Sequence, residues 1–212
     1  HIMPDLPGSN PQIDTQMFDY LYTSDKLQPD QMKIYPCEVV PWTVIQRWHK
    51  EGIYQPYAQT NERALLDVVK HAIRSCPPWI RLPRVIRDIP WSYIEGGNLY
   101  PNLRQMLEAE LVKDGASIME IRARECNRHP EYRVEDAVYK TRVYKANYGI
   151  EKFSSCESKD GVALFGFIRL RFPSSTEHSE FTCLDKDTAL IRELHVYGNV
   201  LRVGKKRKCV KD

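Results

Sequence analysis

The chain has 212 residues and a formal net charge of +3, and 42% of its residues are hydrophobic while 28% are charged. This balance is typical of a folded globular protein and excludes an intrinsically disordered chain. No apolar run approaches the roughly 20 residues of a membrane-spanning helix, and the first residues lack the basic start and apolar core of a secretory signal peptide. We therefore expect one large or two small domains and no membrane partner.

The first part of the chain alternates between strand-like and helix-like patterns. In chain order, the patterns predict a strand at 1–3, a helix at 15–22, a strand at 32–38, a helix from Pro41, a helix at 62–75, a strand at 79–89, a helix at 100–113 and a strand at 117–124. The clearest helix is that at 62–75, because Asn61 is a favourable N-cap. This alternation predicts a parallel sheet covered by helices, as in half of a (β/α) barrel.

The pattern changes after Pro130, where β-forming residues dominate. Residues 162–172 and 189–197 predict strands, residues 157–161 predict a hairpin turn, and residues 149–155 are a short segment of mixed polarity. This part therefore has a mainly antiparallel β pattern. The predicted organisation is a first domain at 1–126, a second at 127–204 and a basic tail at 205–212.

The six cysteines are widely scattered along the chain, at positions 37, 76, 126, 156, 183 and 209. No CxxC pair occurs among them, so the sequence encodes no cysteine-rich zinc or iron–sulfur site. We expect reduced thiols and no metal site.

Eight segments of the chain, taken in order, resemble those of the catalytic subunit of Elongator, the radical-SAM tRNA uridine acetyltransferase family. They are residues 1–7, 32–36, 77–79, 84–90, 97–99, 121–125, 166–171 and 192–198. The resemblance covers nearly the whole chain. It implies an α/β fold in which the C-terminal half of a radical-SAM partial barrel precedes the first, mainly antiparallel half of a GNAT-like acetyltransferase domain.

The resemblance also implies a function, namely carboxymethylation-type modification of the tRNA wobble uridine at C5. It implies acetyl-CoA as acyl donor, S-adenosylmethionine with a 4Fe-4S cluster, tRNA and other Elongator subunits as partners, and a cytoplasmic or nuclear location. The family's CxxxxCxxC motif and glycine-rich pyrophosphate loop do not occur in this sequence, and Ala123 replaces a cysteine of its zinc motif. We therefore expect this chain alone to be inactive. The alternative is a non-catalytic module that binds tRNA or an assembly partner.

Clustered arginines are the candidate tRNA contacts, since guanidinium groups bind phosphates in a bidentate manner. They are Arg81, Arg84, Arg87, Arg122 and Arg124. The last two would share one face of the strand predicted at 117–124. The alternative for all five is a solvated protein edge.

Lys33 and Tyr35 are the candidate catalytic residues. Lys33 interrupts an apolar strand, where burial is costly unless the charge is paired or faces a cavity. Strand alternation places Tyr35 on the same side, and the resemblance implies that this side faces cofactor or substrate. The alternative is a strand-end lysine that extends to water.

The resemblance implies that part of the last predicted strand pairs through its backbone with the pantetheine of acetyl-CoA. The residues concerned are Glu193, Leu194, His195 and Val196. We consider an exposed polar strand face more probable than acid–base chemistry for Glu193 and His195. The four tryptophans, Trp42, Trp48, Trp79 and Trp91, favour packing over base stacking. The run from Lys205 to Lys208 is either a nuclear-import signal, an RNA contact or a solvated tail.

Overall fold

The computed structural model describes residues 1–173 and 188–198. The helices are α1 (Pro11–Thr23), α2 (Val44–Lys50), α3 (Tyr57–Thr60), α4 (Glu62–Arg74), α5 (Leu103–Lys113) and α6 (Ile121–Arg124). The strands are β1 (Gln31–Lys33), β2 (Arg81–Arg84), β3 (Val138–Ala146), β4 (Gly149–Glu157), β5 (Leu164–Phe172) and β6 (Leu190–Val196). Short 3-10 helices lie at Trp91–Tyr93, Cys126–Arg128 and Val134–Asp136. Within these described ranges, no helix combines the length and apolarity needed to cross a membrane.

Parallel strand segments form the sheet of the first part of the chain. Strands β1 and β2 pair in parallel, and Ile2 forms a parallel bridge with Ile34 just beyond β1. Helices α1, α4 and α5 cover one face of this small sheet, where Ile34, Leu82 and the helical side chains form the largest apolar core. The predicted arrangement of a partial barrel with an outer helical layer is confirmed.

Helix α4 shows how the local sequence sets this layer. The Asn61 side chain accepts a hydrogen bond from the backbone N–H of Ala64 and caps the helix. Six apolar residues of α4 are buried against the sheet and its neighbouring helices, namely Leu65, Leu66, Val68, Val69, Ala72 and Ile73. The helix predicted at 62–75 therefore forms as its capping and apolar spacing indicate.

The second part of the chain is a four-stranded antiparallel sheet in the order β3-β4-β5-β6. A tight turn joins β4 to β5, and Gly161 adopts a φ of +82° that glycine tolerates best. Strand β4 occupies the segment that the sequence left without a defined element, and it pairs along its whole length with β3. The expected antiparallel half of the fold is thus confirmed.

The strand predicted at 117–124 is wrong, because this segment contains α6 and no strand. The buried Glu120 carboxylate accepts hydrogen bonds from the backbone N–H groups of Arg122 and Ala123, which caps a single helical turn. The strand predicted at 79–89 is also shorter than expected and contains only Arg81–Arg84.

Ion pairs fasten the antiparallel sheet to the partial barrel. Arg124 on α6 donates to the Glu157 carboxylate of β4 over 2.9 Å, and both side chains are almost fully buried. Arg192 of β6 binds Asp30, which precedes β1, over 2.6 Å. Burial alone raises the pKa of Glu157, but hydrogen bonds from Arg142 and Lys140 and the charge of Arg124 outweigh it and bring that pKa to about 2.

Candidate functional site

A cleft of about 400 Å³ opens beyond the carboxyl ends of the parallel strand segments. Its lining comes from all of them: Met3 follows the first, Tyr35 and Glu38 follow β1, and Arg87 follows β2. Ligand sites in α/β sheets and barrels lie at this end of the strands, since the loops there converge from several strands.

Lys33 and Tyr35 both lie on the sheet face opposite the helical layer. Their neighbours Met32 and Ile34 are buried in the helical core, whereas Lys33 and Tyr35 are half-buried. The Tyr35 ring lines the cleft and meets the His1 ring edge-on, with centroids 5.2 Å apart. The Lys33 ammonium has no hydrogen-bond or ion-pair partner among the residues that the structure describes. The alternation inferred from sequence is therefore present, and the catalytic role of both residues stays a prediction.

Glu38 is a site residue that the sequence analysis missed. Its carboxylate lies at the wall shared by this cleft and a second one of about 220 Å³. Both carboxylate oxygens are buried and have no hydrogen-bond partner within residues 1–173 and 188–198. Burial raises the pKa of Glu38 to about 7, although the charge of Arg87 and the neighbouring Asn98 amide, which makes no hydrogen bond of ordinary length to the carboxylate, oppose the rise. The only signal in the sequence is an acid within an apolar segment.

A glycine contact fixes the wall that carries Glu38. Val39 forms an antiparallel bridge with Gly96, and a Cβ on the next residue, Gly97, would lie 2.7 Å from the carbonyl oxygen of Cys37. Gly97 also has a φ of +108°, which side chains rarely adopt. Only glycine therefore permits the two segments to approach so closely.

The arginines predicted to contact tRNA fall into two groups. Arg84 and Arg87 are both exposed, and Arg87 lines the cleft, whereas Arg84 forms a solvent-accessible ion pair with Asp88 at 3.3 Å. Arg122 is half-buried, and burial together with the charges of Arg104, Arg81 and Arg128 lowers its pKa. These three cations are available to an anionic ligand.

Arg81 and Arg124 are instead bound to acids of the chain itself. Arg81 donates to the Glu125 carboxylate over 2.7 Å. Arg124 is 1% exposed and donates to Glu157 and to the backbone oxygen of Pro78. The prediction of Arg124 as an RNA contact is wrong, because its guanidinium is enclosed between α6 and the antiparallel sheet. Arg122 and Arg124 also share a helical turn and not a strand face.

Strand β6, which carries Glu193, Leu194, His195 and Val196, lies at the edge of its sheet. One side pairs with β5, and no strand in the described part of the chain pairs with the other side. The Glu193 carboxylate accepts a hydrogen bond from Arg169 over 2.8 Å, and the His195 ring lies parallel to Phe167 with centroids 5.7 Å apart. Leu194 and Val196 project outward and are exposed. Among the described residues the backbone edge is open to an extended ligand, and the acetyl-CoA contact of these four residues stays a prediction.

The tryptophans divide between packing and exposure. Trp79 stacks on Tyr144 and Trp48 packs against a small apolar cluster, whereas Trp42 and Trp91 are 88% and 79% exposed. No group of three or more His, Cys, Asp or Glu side chains able to hold a metal occurs in the described ranges. The basic run from Lys205 to Lys208 lies outside the described residues.

Comparisons with known proteins show which proteins this chain is similar to. Residues 29–113 match the Radical_SAM C-terminal domain. The chain is 33% identical over 204 residues to the tRNA uridine(34) acetyltransferase of Methanocaldococcus jannaschii, covering 93% of this chain and 36% of that protein. It is 34% identical over 206 residues to the human Elongator complex protein 3, covering 96% of this chain and 37% of that protein.

The solved structures agree with the sequence relatives. The archaeal Methanocaldococcus infernus Elp3 with an N-terminal deletion superposes with a TM-score of 0.83 at 32% identity, covering 93% of this chain and 46% of that chain. This chain is similar to the Elongator catalytic subunit. The resemblance inferred from the sequence is confirmed. The chain spans little more than a third of the length of these two curated relatives, at 36% and 37%.

Proposed function

We propose that the protein acts in modification of the tRNA wobble uridine at C5, as an Elongator-like catalytic subunit. The observation that carries this proposal is the cleft at the carboxyl ends of the parallel segments, which Arg87 lines, together with the exposed Arg84 at the end of β2. Exposed guanidinium groups bind the phosphates of RNA. Tyr35 and His1 offer ring surfaces in the same cleft for a nucleobase or a cofactor.

In this proposal the two parts of the fold bind different ligands. The partial barrel binds the tRNA through Arg84, Arg87 and Arg122, and Lys33 and Tyr35 orient the substrate on the open sheet face. The outer edge of β6 pairs with the pantetheine of acetyl-CoA, which supplies the acyl group when bound. The Glu193 side chain forms an ion pair with Arg169. In this proposal the ligand therefore binds the backbone of Glu193 and not its carboxylate.

The radical-SAM match also implies S-adenosylmethionine and an iron–sulfur cluster in the complete enzyme. The four described cysteines do not fit a cluster: Cys37 and Cys76 are buried, and neither Cys126 nor Cys156 belongs to a metal-binding group in the described ranges. The proposed roles of the residues in this chain therefore do not involve the cluster. Our proposal includes other Elongator subunits as partners and a cytoplasmic or nuclear location.

A second candidate is a binding module without catalysis, favoured by the exposed guanidinium groups of Arg84 and Arg87, which bind phosphates without any chemical step. Both candidates require tRNA binding, and only the first requires product. A wobble-uridine assay that supplies acetyl-CoA and S-adenosylmethionine to the chain distinguishes them, because modified tRNA supports the first candidate and tRNA binding without modification supports the module.

The test of tRNA binding is a gel shift over a salt titration. We expect the double variant Arg84→Ala, Arg87→Ala to bind tRNA more weakly and to reduce the slope of log affinity against log salt by about 2, which is about 1 for each lost phosphate contact. The matched control is Arg63→Ala, because Arg63 is an exposed arginine on the helical layer. Equal slopes for the wild type and the double variant would contradict the proposed tRNA face.

A further inference from the structure

Glu38 lines the cleft assigned to the substrate, and its carboxyl group is enclosed in the cleft wall. Both oxygens of Glu38 are buried without a hydrogen-bond partner among the described residues. A buried polar group without a partner carries a free-energy penalty that a bound N–H donor removes. The Glu38 carboxyl is therefore a hydrogen-bond acceptor in the cleft wall, and a bound ligand can supply the donor.

The rest of the cleft fits a flat aromatic ligand. Tyr35 and His1 contribute rings, and Met3 and Pro36 contribute apolar surface. The volume of about 400 Å³ lies in the range of small-molecule sites, which are mostly apolar with few polar groups. Arg87 lines the same cleft and supplies N–H donors beside the Glu38 acceptor. A donor next to an acceptor is the pattern that a nucleobase edge requires.

We propose that Glu38 and Arg87 bind the imide edge of the substrate uracil, with N3–H donating to the Glu38 carboxyl and a ring carbonyl accepting from Arg87. This inference rests on the proposed function, because it assigns a position to the uridine of that substrate. Tyr35 provides a stacking surface for the ring. Glu38 is thus a substrate-binding residue, and it accepts the N3–H hydrogen bond in either protonation state.

N3-methyluridine provides the sharpest probe, because the methyl group removes the donor and leaves the rest of the base intact. Fluorescence anisotropy would compare two anticodon stem–loop RNAs that carry uridine or N3-methyluridine at the wobble position, with the full chain. We expect the wild type to bind the uridine RNA about tenfold more tightly, as loss of one hydrogen bond to a charged or buried group predicts.

Two variants separate hydrogen bonding from shape. Glu38→Gln keeps a carbonyl acceptor and should retain the preference for uridine, whereas Glu38→Leu keeps similar bulk and should reduce the preference to less than about twofold. The control is Glu51→Leu, at an exposed position that follows α2, which should keep the wild-type ratio. Circular dichroism verifies that each variant is folded.

If the wild type binds both RNAs equally, or if Glu38→Leu keeps the uridine preference, the inference is overturned while RNA binding leaves the proposed function standing. If neither RNA binds the folded wild type at low salt, both the inference and the proposed function are overturned.

Discussion

The indole ring of Trp79 stacks on the phenol ring of Tyr144, with centroids 4.3 Å apart and planes inclined by 7°. Trp79 follows α4 in the partial barrel, and Tyr144 belongs to β3 of the antiparallel sheet. The indole N–H also donates to the side chain of Gln28 over 3.0 Å. One aromatic contact therefore joins both parts of the fold and is itself held in a fixed orientation.

Removal of this stack should lower the stability of both parts together. We expect Trp79→Ala to cost about 3 kcal/mol, because large aromatic truncations in packed sites cost this much. Urea unfolding followed by circular dichroism measures the change. Trp42→Ala is the control and should change the stability by less than about 0.5 kcal/mol, because Trp42 is 88% exposed. Equal losses in the two variants would contradict the role of the stack.

Glu157 should be the main source of acid sensitivity at the junction. Its side chain is fully buried between Arg124, Arg142 and Lys140, and we expect Glu157→Gln to cost about 3 kcal/mol at pH 7, because cations remain buried without their acid. The pKa of Glu157 falls to about 2 from the ordinary 4.5. Its contribution to stability is therefore present above pH 4.5 and is lost as the pH falls towards 2.

The measurement for Glu157 is urea unfolding at several pH values between 6 and 2. The wild type should lose stability over this interval more steeply than Glu157→Gln. Parallel curves would show that the Glu157 ion pairs do not control acid stability. Glu110→Gln is the control. This substitution should reduce the free energy of unfolding less than Glu157→Gln does, because the partners of Glu110 lie on the exposed helical face.

Glu38 should have the opposite effect on stability. Burial raises its pKa from 4.5 to about 7, so the folded state is favoured below pH 4.5 and this contribution is lost as the pH rises through 7. The charged or titratable groups that line the two adjoining clefts are His1, Tyr35, Tyr100, Arg87 and Asp88. We expect Glu38→Gln to stabilise the chain by about 1 kcal/mol at pH 8, a value reduced for partial solvent exposure, and to have little effect at pH 4. Thermal unfolding at both pH values tests this, and an equal effect at each would contradict it.

Gly97 should be far less tolerant of substitution than another glycine with a similar backbone. Gly97→Ala places a Cβ against the Cys37 carbonyl, whereas a Cβ on Gly8, at a φ of +86°, has nothing within 4 Å. We expect Gly8→Ala to cost about 1 kcal/mol from backbone strain alone, and Gly97→Ala at least about twice that. Chemical denaturation of both variants gives the comparison. Equal costs would mean that the segments separate without penalty.

Local signals in the sequence predicted much of the fold. Asn61 and the apolar spacing behind it predicted α4, and the apolar run at 162–172 predicted β5. Strand β4 escaped because its buried face is polar: Glu151 is 2% exposed and binds Arg171 and Arg192. Such charges obscure the alternation of apolar residues on which strand prediction depends.

The candidate site was harder to predict, because its decisive contacts join distant residues. Arg124 resembles a surface arginine until Glu157, 33 residues away, is brought against it. Glu120 caps α6 and also accepts a hydrogen bond from the backbone N–H of Leu82. These contacts hold residues 121–124 in a helical turn, although their apolar spacing suggested a strand. Lys33 and Tyr35 were placed on one face correctly because strand alternation is local. No comparable sequence pattern marked Glu38, because its buried position depends on the close approach of the distant segment at Gly97.

The open side of β6 has a consequence for handling the protein. Within the described residues, the outer backbone groups of β6 pair with no strand and lie beside outward-facing Leu194 and Val196, so they form a template on which a second molecule can add its own strand. Fibrillar aggregates should therefore nucleate there at high concentration, and a lysine in place of Leu194 should delay the rise in turbidity.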